Sequence, residues 1–111
     1  MSDNPVEVIW CTAPAGDAPS LARTLVAERL VACVNVLPGV VSTYHWQGRV
    51  ETEDEVLMMM KTTSERRPAV ELRLVELHPY DVPEVLAMPV TSGSLPYMNW
   101  VREQVSLGGA E

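Results

Sequence analysis

The sequence predicts an α+β fold: one domain of order β-α-β-β-α-β with a further helix at its C-terminal end. Three observations carry this. Apolar segments switch between strand and helix periodicity in that order. One stretch of unusual length, Cys33 to Thr63, reads as two extended arms joined at Gln47-Gly48. Two crossover units joined by a hairpin in one sheet make the split βαβ, or ferredoxin-like, arrangement. Right-handed crossovers then place the first and third strands in the centre of that sheet.

Each element has a local reason. Val6 to Thr12 is a short apolar run with β-branched residues and reads as a strand covered on both faces. Ala13-Pro14-Ala15-Gly16-Asp17 breaks it, and Asp17 can cap a helix that tolerates Pro19 in its first turn. The expected helix is Ala18 to Ala32, with Leu21, Ala22, Leu25, Val26 and Leu30 on its apolar face. Thr63 or Ser64 is the expected cap of a second helix, Glu65 to Leu77, with Pro68 near its start. His78-Pro79-Tyr80-Asp81 stops it, because the residue before proline avoids the α region. Val82 to Val90 reads as a strand that Pro83 and Pro89 confine to an edge. Ser94 caps the last helix, Leu95 to Val105, with Tyr97, Trp100 and Val101 on one side. Residues 1–5 and 107–111 are expected to be loose ends of this single domain, 1–111.

The hairpin looks too long for the domain. Val34, Val36, Val40, Val41 and Thr43 favour strand in the first arm, and Pro38-Gly39 marks a bulge on an edge strand. An arm of about 13 residues spans roughly 43 Å, whereas a chain of this size has a radius of gyration of about 13–14 Å. Part of the hairpin must project, carrying Tyr44 and Trp46, and exposed edge and aromatic surface calls for a partner. An oligomer is the expectation.

Composition narrows the function. The net charge of −7 argues against nucleic acid, which demands a basic face. No apolar run reaches membrane-spanning length. Met1 to Pro5 shows no basic and apolar leader pattern, so cytoplasmic placement with Cys11 and Cys33 reduced is expected. GxGxxG, phosphate-loop, HExxH, CxxC and GxSxG patterns are absent, which weighs against a hydrolase, a kinase or a dinucleotide enzyme, and no recognisable nucleophile–base pair points to any other enzyme.

The candidate chemistry lies in a few side chains. Cys11 and Cys33 read either as buried, inert thiols or as soft-metal ligands that need a further donor. His45 reads as a surface residue at the hairpin tip, and His78 as a helix stop or a pocket residue. Met58 and Met60 share one strand face, with core filling as the plain reading. Glu51, Glu53 and Glu55 share a face, either solvated or engaged with cations. Glu84 sits among apolar residues and wants a partner, for which Lys61 is the candidate.

Several spaced motifs then match one known family over nearly the whole chain. They are Cys11-Thr12-Ala13-Pro14, the segment Leu21 to Val40, Tyr44-His45-Trp46-Gln47-Gly48, Lys61-Thr62-Thr63, His78-Pro79-Tyr80-Asp81-Val82-Pro83-Glu84 and Tyr97 to Trp100. In these the chain resembles the CutA divalent-cation tolerance proteins. The resemblance implies a ferredoxin-like subunit in a tight homotrimer, with the long hairpins packed between subunits, similar in architecture to PII-type signalling proteins. It implies a role in tolerance of copper or another divalent metal ion, with Cys11 as metal ligand and His78 as a further one. The other reading is a small-ligand or signalling module with clefts between subunits, lined by Tyr44, Trp46, Glu53, Lys61, Glu84 and Trp100 and taking an anionic or zwitterionic ligand.

Overall fold

The computed structural model describes residues 4–106. The expected loose segments 1–3 and 107–111 lie outside them. Asn4 and Pro5, also expected to be loose, are tied down. Arg102 Nε donates to the Asn4 carbonyl at 2.9 Å, and the Ser64 amide donates to the Pro5 carbonyl at 2.9 Å.

The elements are β1 (Val6–Ala13), α1 (Ala18–Ala27), β2 (Cys33–Trp46), β3 (Arg49–Thr63), α2 (Arg67–Leu77), β4 (Leu86–Pro89) and α3 (Leu95–Gln104). The strands form one antiparallel sheet in the order β2-β3-β1-β4. The first and third strands are therefore central, as right-handed crossovers require.

Side-chain alternation divides the sheet into two unlike faces. Ile9, Cys11 and Ala13 of β1 and Val56, Met58 and Met60 of β3 pack against Leu21, Leu25, Val70 and Leu74 of the two helices. Met58 and Met60 are completely buried, so the core-filling reading of these methionines holds. The other face carries Val8, Trp10, Leu57, Met59 and Lys61. Only one end of it is covered, where Val101 and Val105 at α3 meet Val6 and Ala32.

The long hairpin has the local chemistry expected of it. Gln47 and Gly48 both take positive φ (52° and 80°), the turn whose twist matches that of the flanking strands. The register slips between Leu37 and Val40, with Gly39 at φ 78°, so Pro38-Gly39 is the bulge. The hairpin gives the subunit its length: 49 Å against 26 and 22 Å.

Three boundaries differ from expectation. α1 ends at Ala27, not Ala32. Arg29 turns left-handed (φ 59°), the Leu30 and Val31 amides both reach back to the Leu25 carbonyl, and Thr62 Oγ1 captures the Leu30 carbonyl at 2.7 Å. α2 begins at Arg67, not Glu65. Thr63 Oγ1 accepts from the Arg66 amide at 3.4 Å, and Asn4 Oδ1 accepts from the Glu65 amide at 3.1 Å, so residues 64–66 form a capped turn ahead of the helix. β4 is only Leu86–Pro89, not Val82 to Val90. Residues 82–85, including Glu84, lie outside the strand, after a segment that His78 ties to the Thr12 carbonyl and Tyr80 ties to Glu55.

Candidate functional site

A cleft of about 600 Å³ opens on the partly covered face of the sheet, where the hairpin leaves the core. Its floor follows from strand periodicity. Ser42, Tyr44 and Trp46 of β2 alternate onto the same face as Glu51, Glu53 and Glu55 of β3, with Ser42 opposite Glu53 and Tyr44 opposite Glu51. Its wall is the segment after α2: Tyr80, Asp81, Val82 and Glu84. Thr12, near the end of β1, closes the inner end.

Two tyrosines organise the carboxylates. Tyr44 Oη donates to Glu53 Oε1 at 2.8 Å, and Tyr80 Oη donates to Glu55 Oε2 at 2.7 Å. The Glu53 acceptor pushes the Tyr44 hydroxyl up to about 12. Burial, then the bond to Glu55, drives the Tyr80 hydroxyl higher still. Both phenols stay protonated donors. Glu55 is 7% exposed and nonetheless pairs with no cation among the described residues. Arg49 reaches Glu51 at 3.5 Å; Glu53, Asp81 and Glu84 have no ion-pair partner among the described residues. The cleft is an anionic, aromatic-walled space.

The wall is held by a relay. The Tyr80 amide donates to His78 Nδ1 at 3.1 Å, so the ring's proton sits on Nε2, which donates to the Thr12 carbonyl at 2.8 Å. The two rings pack with centroids 4.7 Å apart. Both nitrogens of His78 are thus used internally.

Cys11 meets His78 at that same carbonyl. Its Sγ donates to Thr12 O at 3.5 Å, and the side chain is fully buried. Burial first, then the nearby Glu84 and Glu55 charges, push the thiol from 9.0 up to about 12. The two residues expected to bind metal are therefore neighbours, but they meet in a hydrogen-bonded node with a protonated thiol and an occupied imidazole. Among the described residues no three His, Cys, Asp or Glu side chains converge closely enough to hold a metal ion.

Of the expected cleft residues, Tyr44, Trp46, Glu53 and Glu84 line the cleft together. Lys61 and Trp100 lie elsewhere on the same subunit, and the clefts expected between subunits would involve a second copy of the chain. Lys61 stands opposite Cys33 at the far end of β3, its ammonium bonded to Asn35 Oδ1 and 4.0 Å from Cys33 Sγ. It is not the partner of Glu84. Trp100 lies on α3 and stacks on Tyr97 at 5.6 Å. Tyr80, Asp81 and Glu55 belong to the site and were not singled out for it. The alternation of Glu51, Glu53 and Glu55 already placed the last of these on the right face.

Comparison with known proteins agrees with this subunit. The family described as CutA1 divalent ion tolerance protein matches residues 7–104. The chain belongs to that family. A divalent-cation tolerance protein CutA of Thermus thermophilus is 45% identical over 98 residues, covering 87% of this chain and 95% of that protein. The crystal structure of CutA from Xylella fastidiosa superposes with a TM-score of 0.90 at 42% identity, covering 92% of this chain and 99% of the other. A structure described as the PII-like protein CutA from Nostoc sp. PCC 7120, in apo form, gives 0.86 at 35% identity, covering 91% and 98%. The family is named for tolerance of divalent ions and not for a reaction. No helix among the described residues is long and apolar enough to cross a membrane.

Proposed function

We propose that this chain is a non-enzymatic divalent-cation tolerance protein that takes up cations in the acidic cleft. One observation carries the reading: Glu53, Glu55, Asp81 and Glu84 face one cavity with no counter-cation from the described residues. Carboxylates so spread suit a hard divalent ion that keeps part of its water shell. They do not suit a tight cage, since no three acidic or imidazole groups converge among the described residues. Copper bound through Cys11 and His78 is the less supported version, because a metal would have to displace both from Thr12 and deprotonate a thiol held near 12.

The working unit in this proposal is a homotrimer. The reasons are physical: Trp10, Leu57, Met59, Leu86 and Met88 share a sheet face that α3 covers only at one end, and β2 is a long free edge. Neighbouring copies in the trimer would cover both, and light scattering on the purified protein measures whether the copy number is three.

A second reading is favoured by the size of the cleft. About 600 Å³ walled by Tyr44, Trp46 and Tyr80 exceeds what one ion fills and suits a small organic ligand, in keeping with a PII-like module. Thermal-shift titrations with Mg²⁺, Mn²⁺, Zn²⁺ and Cu²⁺, run beside a metabolite set, test the proposal. Stabilisation by divalent ions that is lost in Glu53→Gln/Glu55→Gln supports it. A response to metabolites alone supports the second reading.

A further inference from the structure

Away from the cleft, four polar side chains converge where β2 begins. Cys33 and Lys61 are directly opposed residues of the β2–β3 ladder, which fixes their separation. Lys61 Nζ lies 4.0 Å from Cys33 Sγ and is held there by its bond to Asn35 Oδ1. Cys33 Sγ also points at Asn35 Oδ1, at 3.7 Å. Tyr97 of α3 comes close enough that Cys33, after burial, helps to raise its hydroxyl above the usual range. Unlike Cys11, Cys33 is partly exposed.

We propose that Cys33 and Lys61 form a redox-sensitive pair that closes a reversible sulfur–nitrogen cross-link between β2 and β3 when the protein meets a hydroperoxide. The thiol sulfur attacks the peroxide, an S–O bond forms as the O–O bond breaks, and water leaves. Sulfur is oxidised by two electrons and the peroxide is reduced. The Lys61 amine, having given up its proton, then attacks the sulfenic sulfur. The S–N bond forms, the S–O bond breaks, and the departing hydroxide takes one of the two amine protons and leaves as water, the other staying on nitrogen. The sum is Cys–SH + Lys–NH₂ + H₂O₂ → Cys–S–NH–Lys + 2 H₂O. Two equivalents of an added thiol return the free pair and leave a disulfide of that thiol. The geometry supplies the selectivity: the amine waits beside the sulfur, so condensation competes with further oxidation. The product removes the Lys61 charge and staples the start of the edge strand to its neighbour.

Intact-mass spectrometry of the full chain after peroxide treatment tests this, followed by peptide mapping. The expected product has lost two hydrogen atoms, joins the Cys33 and Lys61 peptides, resists trypsin at Lys61 and reverts with dithiothreitol. Lys61→Arg keeps the charge but cannot close the link, so it accumulates oxygen adducts on Cys33. Cys11, buried with a protonated thiol, stays unmodified and serves as the internal control. Wild-type protein that gains oxygen on Cys33 as Lys61→Arg does, or in which Cys33 does not react, overturns the proposal.

Discussion

His78 Nε2 and the Thr12 carbonyl oxygen lie 2.8 Å apart, and that bond fixes the wall of the cleft. Thr12 belongs to a central strand, so the segment after α2 is anchored to the most constrained part of the sheet. The same oxygen receives the Cys11 thiol. Two residues that a metal reading would pair are instead joined through the backbone.

His78→Ala should destabilise the fold by about 1–3 kcal/mol, because it leaves the Thr12 carbonyl and the Tyr80 amide without their partner. Urea denaturation of variant and parent measures this directly. A change within about 0.3 kcal/mol would show that water replaces the ring at no cost and that the relay does not hold the wall.

Tyr80→Phe removes the one hydrogen-bond donor that reaches the Glu55 carboxylate among the described residues, at a site that is 7% exposed. A loss of about 1–3 kcal/mol is expected. Tyr44→Phe, which deletes a similar bond at an exposed site, should cost clearly less. Equal losses in the two variants would contradict the burial argument.

Stability should fall at alkaline pH, and the sign follows from the raised thiol. Folded Cys11 keeps its proton up to about 12, whereas the unfolded chain releases it near 9.0. Above 9.0 the unfolded state binds fewer protons, so the Cys11 contribution is intact below that pH and declines as pH rises towards 12. Tyr80 and Tyr44, also raised, act in the same direction from about 10 upward. Denaturation midpoints taken from pH 8 to about 11 should slope less steeply in Cys11→Ala than in the parent. Parallel slopes would remove Cys11 as a cause.

Gly48→Ala tests the hairpin turn. At φ 80° a Cβ is strained, although no neighbouring atom would clash with it. A cost of about 1–2 kcal/mol in thermal unfolding is expected. No change would mean that the tip is remodelled freely and does not set the register of the arms.

Much of the fold was legible because its signals are local. Gln47-Gly48, Pro38-Gly39 and the alternation of Met58, Met59 and Met60 each dictate nearby backbone or face without reference to distant chain. The short α1 was not legible, since its end depends on Arg29 entering the left-handed region and on Thr62 capturing the Leu30 carbonyl from another strand. The cleft was half legible. Strand periodicity places Tyr44, Trp46 and Glu53 together, but the wall depends on contacts between residues far apart in sequence, Thr12 with His78 and Glu55 with Tyr80. Lys61 stands outside the cleft of its own subunit for a geometric reason. It shares a strand face with Glu55 but stands six positions further on, roughly 20 Å along an extended strand. Trp100 lies outside this cleft of its own subunit, on α3, and nothing in that helix indicates which end of the sheet it covers.

The central claim is that cations are taken up by the cleft carboxylates and not by the cysteine node. Isothermal titration of Mn²⁺ and of Cu²⁺ into the parent, Glu53→Gln/Glu55→Gln and Cys11→Ser compares the two directly. The account predicts that Cys11→Ser binds as the parent does, and that the double glutamine variant weakens Mn²⁺ binding by at least about tenfold. Parent-like binding in the glutamine variant, with binding lost in Cys11→Ser, would contradict it.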